Sequence, residues 1–322
     1  MTVLDLSAIG LQIILPLTLV SWLAFAPLSN WLSFIIQATA AGIALLALLL
    51  VAVWLIPPWW TPYLYLALWL AAVLWQTSRL MKSSDISSGR MLDYAGLAAL
   101  LPLATLATFL SVRAVAGHFP PDGEAVIDIA FPMGSGTYFV ASGGAAATIN
   151  GHFITLDPVT ERQRAYRGQS YGADLVKLDK WGLRASGWRP TDPAAYAVFS
   201  EPVFAPCSGT ILQARDGMAD MIVPQTDVTR LEGNHVYIGC GDFAVLLAHL
   251  RKNSVLVQGG DRVTQGQKIG EVGNSGQSSE PHLHVHVQRI AEETAPIFSA
   301  DPVFVTVEGN FLVRNERVSI NK

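Results

Sequence analysis

The hydrophobic pattern divides the chain into two unlike parts. From Leu6 to Ser78 there is no Asp, Glu, Lys or Arg, and apolar residues run in long stretches. A bilayer core of about 30 Å is crossed by roughly 20 apolar residues in a helix. Four such stretches are predicted, over residues 7–27, 31–56, 59–78 and 93–113. They are separated by Pro27-Leu28-Ser29-Asn30, by Pro57-Pro58 and by a polar loop from Arg79 to Met91. From Glu124 onward the pattern changes to short apolar runs broken by turns: AVIDIAFP, GTYFVASGG, HVYIGCGD, FAVLLAHL, KIGEVGNSG and HLHVHVQ. Runs of about five to eight residues at this spacing, joined by Gly-rich connections, predict strands of an antiparallel sheet or sandwich. The expected fold is therefore multi-domain, with a four-helix transmembrane region over residues 1–117 and an all-β domain over residues 118–322.

Composition sharpens this division. Of the 322 residues 51% are hydrophobic and 14% charged, against about 25% charged in an average soluble domain, and the deficit belongs to the first part. Trp31, Trp54, Trp59, Trp60 and Trp75 fall near predicted helix ends, where interfacial aromatic residues sit. The opening MTVLDL lacks the basic region of a secretory signal, so the first stretch is expected to remain as a span. Arg79, Lys82 and Arg90 make the loop after the third stretch basic, which predicts that it is cytoplasmic. The β part then lies on the extracytoplasmic side, at the end of a multi-pass anchor in the lipid bilayer. A net charge of −4 excludes the basic footprint of a nucleic-acid binder. Two cysteines, Cys207 and Cys240, are too few for a disulfide scaffold or a Cys-rich metal site. They form either one bridge or two separate buried thiols.

The densest chemical signal is Pro281-His282-Leu283-His284-Val285-His286. Alternate residues of a strand share a face, so the three imidazoles stand in a row about 6 to 7 Å apart. Imidazole is a good zinc ligand and also a proton carrier near neutral pH. This predicts one ligand and one acid-base group, with His286 too far along the strand to join them and read as a solvated strand residue. A catalytic zinc takes three protein ligands and keeps an open position. Candidates upstream are His152, in NGHFITLD, a segment that reads as a strand, and Asp174, a carboxylate in the alternating run from Tyr171 to Leu178. Asp179 competes with Asp174 but has Lys177, Lys180 and Trp181 as neighbours, as at a solvated turn. His249 ends the apolar run LLAHL and is either a core residue or, beside an HxH strand, a catalytic one. His118 and His235 read as structural or surface residues.

The series GTILQARDG, GNHVYIG, LLAHL and VTQGQKIGEVGNSGQSSEPHLHVHV resembles the lysostaphin/LytM-type zinc metallopeptidases, over roughly residues 145–315. That resemblance implies a small antiparallel β-sheet scaffold and cleavage of peptide bonds in peptidoglycan. It implies that Asp174 and His284 bind Zn2+ and that His249 and His282 are catalytic. The family's remaining ligand is usually a histidine four residues before the aspartate, a position held here by Ser170. NGHF followed by GQSYGAD is similar to a variant of the family in which His152 supplies that ligand. The implied activity is that of a membrane-anchored zinc metalloendopeptidase acting on peptidoglycan peptides. The alternative is an inactive relative that binds peptidoglycan or regulates a cell-wall amidase. Residues 162–169, 181–196 and 275–280 are expected to wall a groove, with Trp188 or Tyr196 lining it.

Overall fold

A computed structural model describes residues 3–26, 30–82, 91–121, 123, 126–290 and 296–321. Contacts divide the chain into two compact units, Met1–Val115 and Ala116–Lys322.

In the first unit α1 (Val3–Ile9), a π-helical turn (Gly10–Ile14) and α2 (Leu15–Phe25) follow one another without a break, and α3 (Trp31–Val51), α4 (Thr61–Lys82) and α5 (Met91–Ala116) come after them. Among the described residues three spans are long and apolar enough to cross a membrane: Leu6–Phe25, Trp31–Val51 and Thr61–Lys82. The fourth expected stretch is helical, as α5, but among the described residues its apolar helix, Leu100–Ala116, falls short of the length needed to cross a membrane. The boundaries also move. Asn30 caps α3 by accepting from the Ser33 amide at 2.8 Å. The helix ends at Val51 rather than near residue 56, with Ala52 turning extended as its C-cap. Conversely α4 runs past Ser78 to Lys82, carrying Arg79 and Lys82 in its last turn, where cations complement the helix dipole. Residues 27–29 and Arg90, which figured in the expected turn and basic loop, lie outside the described residues. Leu23, Phe34, Ala38 and Ala72 form a packed centre, while Leu11, Leu32, Leu64, Leu74 and Trp75 face outward, as residues in contact with lipid tails do.

The second unit carries thirteen strands among the described residues: β1 (Val126–Ile129), β2 (Gly136–Ser142), β3 (Ala173–Leu178), β4 (Pro202–Phe204), β5 (Gly209–Arg215), β6 (Asn234–Cys240), β7 (Phe243–Leu250), β8 (Arg262–Val263), β9 (Lys268–Glu271), β10 (Leu283–Arg289), β11 (Pro302–Val307), β12 (Asn310–Phe311) and β13 (Arg317–Ile320). The main sheet runs β13-β2-β3-β10-β7-β6-β5-β8, with β11 also on β10, and β4 and β9 make a separate pair. Pairing is antiparallel apart from β1 on β11. Leu283, Val285 and Val287 of β10 enter the main core with Leu175, Val245 and Leu247. Their alternates His284, His286 and Gln288 are buried on the other face, beside Tyr237, Leu246 and Phe298. Cys207 and Cys240 are joined by a disulfide, with Cα atoms 6.3 Å apart.

Candidate metal and catalytic site

Strand register assembles the centre of the site. On β10, His284 is paired with Asp174 of β3 on one side and with Ala248 of β7 on the other. Residues directly opposite in an antiparallel pair share a face, so the carboxylate and the imidazole meet across the ladder while the small Ala248 leaves room above the sheet. His284 Nδ1 lies 2.9 Å from Asp174 Oδ1. His282, just before β10, brings Nε2 to 3.5 Å from the same oxygen.

His249 arrives by a different device. It follows Ala248, so strict alternation would turn it to the opposite face. The β6–β7 register shifts between Asn234 and Val236, which pair with Leu250 and Leu247, placing an extra residue on β7. His249 itself has φ 63°, a left-handed conformation uncommon outside glycine. The bulge turns its ring back to 4.7 Å from that of His282 and 6.0 Å from that of His284, between centroids. Sequence reasoning reached His249 through its neighbours and missed the bulge, which has no signature in LLAHL.

His152 also reaches the cluster, though on a 3-10 turn (Gly151–Thr155) and not on the expected strand. The turn forms because Asn150 is fully buried and its Oδ1 caps it, accepting from the His152 amide at 3.0 Å. Asn150 Nδ2 donates to the Gly144 and Gly172 carbonyls, which fixes the amide orientation. The same Oδ1 therefore accepts from His152 Nδ1–H at 2.9 Å, leaving the Nε2 lone pair 3.5 Å from Asp174 Oδ1. One candidate donor atom each from His152, Asp174 and His284 lies within 4.8 Å of the others, a group that could hold a metal ion. Ser170 does not join it. Its hydroxyl donates to the Arg167 carbonyl at 2.6 Å and pairs with Thr155 Oγ1 at 2.9 Å.

The two remaining imidazoles are held in a matching way. His249 Nδ1 donates to the Ser275 carbonyl at 2.9 Å, and His282 Nδ1 to the Glu280 carbonyl at 2.8 Å. In each, Nε2 is left as the basic nitrogen in the neutral ring. Glu280 is clamped in turn by Arg184, at 2.7 and 3.2 Å, and by Arg189 at 3.0 Å. Residues 181–196 thus brace the backbone that orients His282. Tyr196, expected to line a groove, is instead a core residue packed with Ala185 and Val223. Asp179 accepts from the Trp181 and Leu183 amides in a turn. His235, fully buried, is hydrogen-bonded to Gly233 and Gln213. His286, expected in solvent, is buried at 1% exposure, with Phe298 packed edge-on against its ring.

Burial lowers the His152 imidazole to about 4 in spite of the pull of Asp174. It pushes His249 well below the ordinary histidine range, with His282 adding to the effect. Burial would raise the Asp174 carboxyl, but His152, His282 and His284 outweigh it and hold the group well below the usual carboxylate range. At neutral pH His152 and His249 are thus held neutral beside the ionised Asp174 carboxylate, a protonation state in which such groups coordinate metals.

Residues 193–296 match the profile of Peptidase family M23. That stretch contains His249, His282 and His284, while His152 and Asp174 lie before it. Over 81 residues the chain is 37% identical to the peptidoglycan DD-endopeptidase ShyC of Vibrio cholerae, a stretch covering 25% of this chain and 17% of that protein. The catalytic domain of the antimicrobial peptidase lysostaphin from Staphylococcus simulans aligns at 24% identity over 39% of this chain and 72% of its own, with a TM-score of 0.26. A zinc-containing peptidase from Vibrio cholerae aligns at 20% identity over 46% of this chain and 45% of its own, with a TM-score of 0.23.

Proposed function

We propose, from the premise that this chain carries a peptidase family M23 domain, that it is a membrane-anchored zinc endopeptidase cleaving peptide bonds of bacterial peptidoglycan. The observation that carries the proposal is the convergence of His152, Asp174 and His284 within 4.8 Å, beside two imidazoles whose basic nitrogens are preset by backbone carbonyls. Two histidines and one carboxylate are a zinc donor set that leaves a fourth position open. The second nitrogen of His152 is hydrogen-bonded to Asn150 and that of His284 to His286, as ring nitrogens opposite a metal bond are. Lewis acidity toward the scissile carbonyl, and acidification of a water, are what zinc supplies when bound.

The protein groups handle the protons. His249 and His282, each with Nδ1 turned to a backbone carbonyl, present Nε2 as acceptors for a proton of the attacking water as its oxygen bonds to the carbonyl carbon. The ring that takes the proton becomes a donor. It stabilises the developing oxyanion and then passes the proton to the amine as the C–N bond breaks. On this reading the helical unit is an inner-membrane anchor in which Arg79 and Lys82 mark the cytoplasmic end of α4, so that the β unit faces the cell wall. The natural partners are peptidoglycan peptides and lipid, with room for an envelope protein.

The test is the full chain in detergent, given purified peptidoglycan with and without a chelator. Chelator-sensitive release of new amino termini is expected, with about one zinc per chain. Bound zinc without release would favour an inactive peptidoglycan-binding or regulatory role, and absence of zinc would overturn the enzyme reading.

A further inference from the structure

A cavity of about 310 Å³ opens on the sheet face that carries the metal cluster, and the proposed chemistry makes no use of it. Strand register puts it there. Gln213 and Arg215 of β5, which line it, are paired with Tyr237 and His235 of β6, Tyr237 with Leu246 of β7, and Leu246 with His286 of β10. Paired residues share a face, so both side chains project on the side of His284 and His286. Three ladder steps of about 4.8 Å separate β5 from β10, about 14 Å in all. Phe298 lines the cavity and also meets the rings of Tyr237 and His286, at 5.7 and 6.4 Å between centroids. It is the partition between the cavity and the metal cluster. In size the cavity falls at the small end of ligand pockets, which run from about 300 to 1,000 Å³.

Arg215 and Arg230 both line it and are exposed, and neither guanidinium has an ion pair or hydrogen bond among the described residues. Other arginines of this unit are engaged, Arg184 and Arg189 with Glu280, Arg251 with Glu271 and Arg167 with Asp301. A guanidinium presents a planar fork that fits a carboxylate or phosphate with two parallel hydrogen bonds. The acidic residue of the cavity is not spent on the two cations. Tyr166 Oη donates to Glu232 Oε2 at 2.7 Å, and Glu232 Oε1 has no partner among the described residues. A carboxylate in that place repels a bare anion and suits a ligand with an N–H donor next to its own carboxylate. Pro296, Ile297 and Phe298 make another wall apolar. A free carboxylate, a neighbouring N–H and a small apolar group occur together at the carboxyl end of a peptide.

We infer that this cavity is a second peptide site, which takes the carboxyl end of a short peptide on Arg215 and Arg230, with Glu232 accepting the last amide N–H. It asks nothing of a metal. Glu232 also joins it to the catalytic strand, because its backbone carbonyl accepts from the His249 amide at 3.0 Å. The cavity and the bulge of β7 thus share one residue.

The probe is alanylalanine, titrated into the full chain in detergent with a chelator present and followed by saturation-transfer NMR. Saturable binding is expected, unchanged when zinc replaces the chelator. Arg215→Gln and Arg230→Gln are each expected to weaken it about tenfold, the lower end for a hydrogen bond to a charged group. The carboxyl-terminal amide of the dipeptide should bind the parent as weakly as the acid binds those variants. Inorganic phosphate is expected to bind less well than the dipeptide, and Glu232→Gln to narrow that gap. Because both arginines are exposed, the circular dichroism of their variants should stay parental. Parental affinity in both arginine variants, or an amide that binds as well as the acid, would overturn the site. Phosphate that matches the dipeptide would overturn its assignment to peptides. Binding seen only with zinc would put the dipeptide on the metal and overturn the cavity while supporting the zinc site. A chain that takes the dipeptide but no zinc would overturn the proposed function and leave this inference standing.

Discussion

The two units treat buried polar side chains in opposite ways. In the helical unit three of them end on backbone carbonyls. Gln76 Nε2 donates to Leu23, Ala24 and Ala26 at 2.9, 3.1 and 3.2 Å, Tyr65 Oη to Gln12 at 2.9 Å and Trp69 Nε1 to Ala38 at 3.0 Å. In the β unit the polar groups of the site face meet one another, as His152, His282 and His284 around Asp174 do. The cause lies in the backbone. The end of α2 leaves the carbonyls of Leu23, Ala24 and Ala26 without helical partners, and Gln76 is drawn to them. The ladders of β3, β10 and β7 already satisfy their own amides and carbonyls, which frees the side chains above them to converge on one point.

If that contrast is right, removing one imidazole from the site should abolish chemistry while leaving the fold almost untouched. The largest effect is expected from His249→Asn, a residue type that tolerates the left-handed backbone at this position. Loss of an acid-base group lowers turnover by about 10²- to 10⁴-fold. Zinc content should be unchanged, because His249 lies outside the three-donor group. Turnover of peptidoglycan and metal content measured on the same preparation check this. Parental turnover would remove His249 from the mechanism, and lost zinc would make it part of the metal site.

How far each part of this arrangement was legible in the sequence depends on the range of the interaction that forms it. Three of the four expected spans follow from solvent, a property of each stretch alone, with their ends moved before Pro57-Pro58 and at the charged last turn of α4, while the fourth does not reach the length of a span among the described residues. The HxH alternation needs only the period of a strand, so His282 and His284 could be placed beside each other before any pairing was known. Asp174 stood out because a carboxylate in an apolar run demands a partner. The β7 bulge is a property of register between two strands, and nothing within LLAHL encodes it. The 3-10 turn carrying His152 depends on Asn150 finding the Gly144 and Gly172 carbonyls. The burial of His286 depends on Phe298, which lies beyond β10 in sequence and meets its ring edge to face.

A middle-sized effect tests how tightly the sheet must pack for its side chains to converge. Gly172 sits where a Cβ would come within 2.8 Å of His284 Cε1 and 2.9 Å of the Gln169 carbonyl. The backbone oxygen cannot move aside easily, so in Gly172→Ala the His284 ring must shift. The expected result is about tenfold weaker zinc binding, the lower end of losses seen when a ligand's surroundings are disturbed. The secondary-structure signal should stay parental. Unchanged zinc affinity would show that the His284 ring has slack that the close contacts deny.

The smallest effect belongs to the helical unit. Gln76 is 2% exposed and its amide group reaches three carbonyls at the end of α2. Gln76→Leu keeps most of the volume and removes the donor. In water such carbonyls would find solvent, and in lipid they would not. Yet the unfolded state in a membrane also finds partners, which keeps single side-chain hydrogen bonds there to about 0.6 kcal/mol on average and about 1.7 at most. Because one donor here serves three acceptors, the loss should fall toward the upper figure, read as reduced resistance of the full chain to unfolding in mixed detergent. Zinc content should not change, since every contact of Gln76 lies within the helical unit. Unaltered resistance would mean that the carbonyls of Leu23, Ala24 and Ala26 do not depend on Gln76, and the contrast between the two units would then rest on Tyr65 and Trp69 alone.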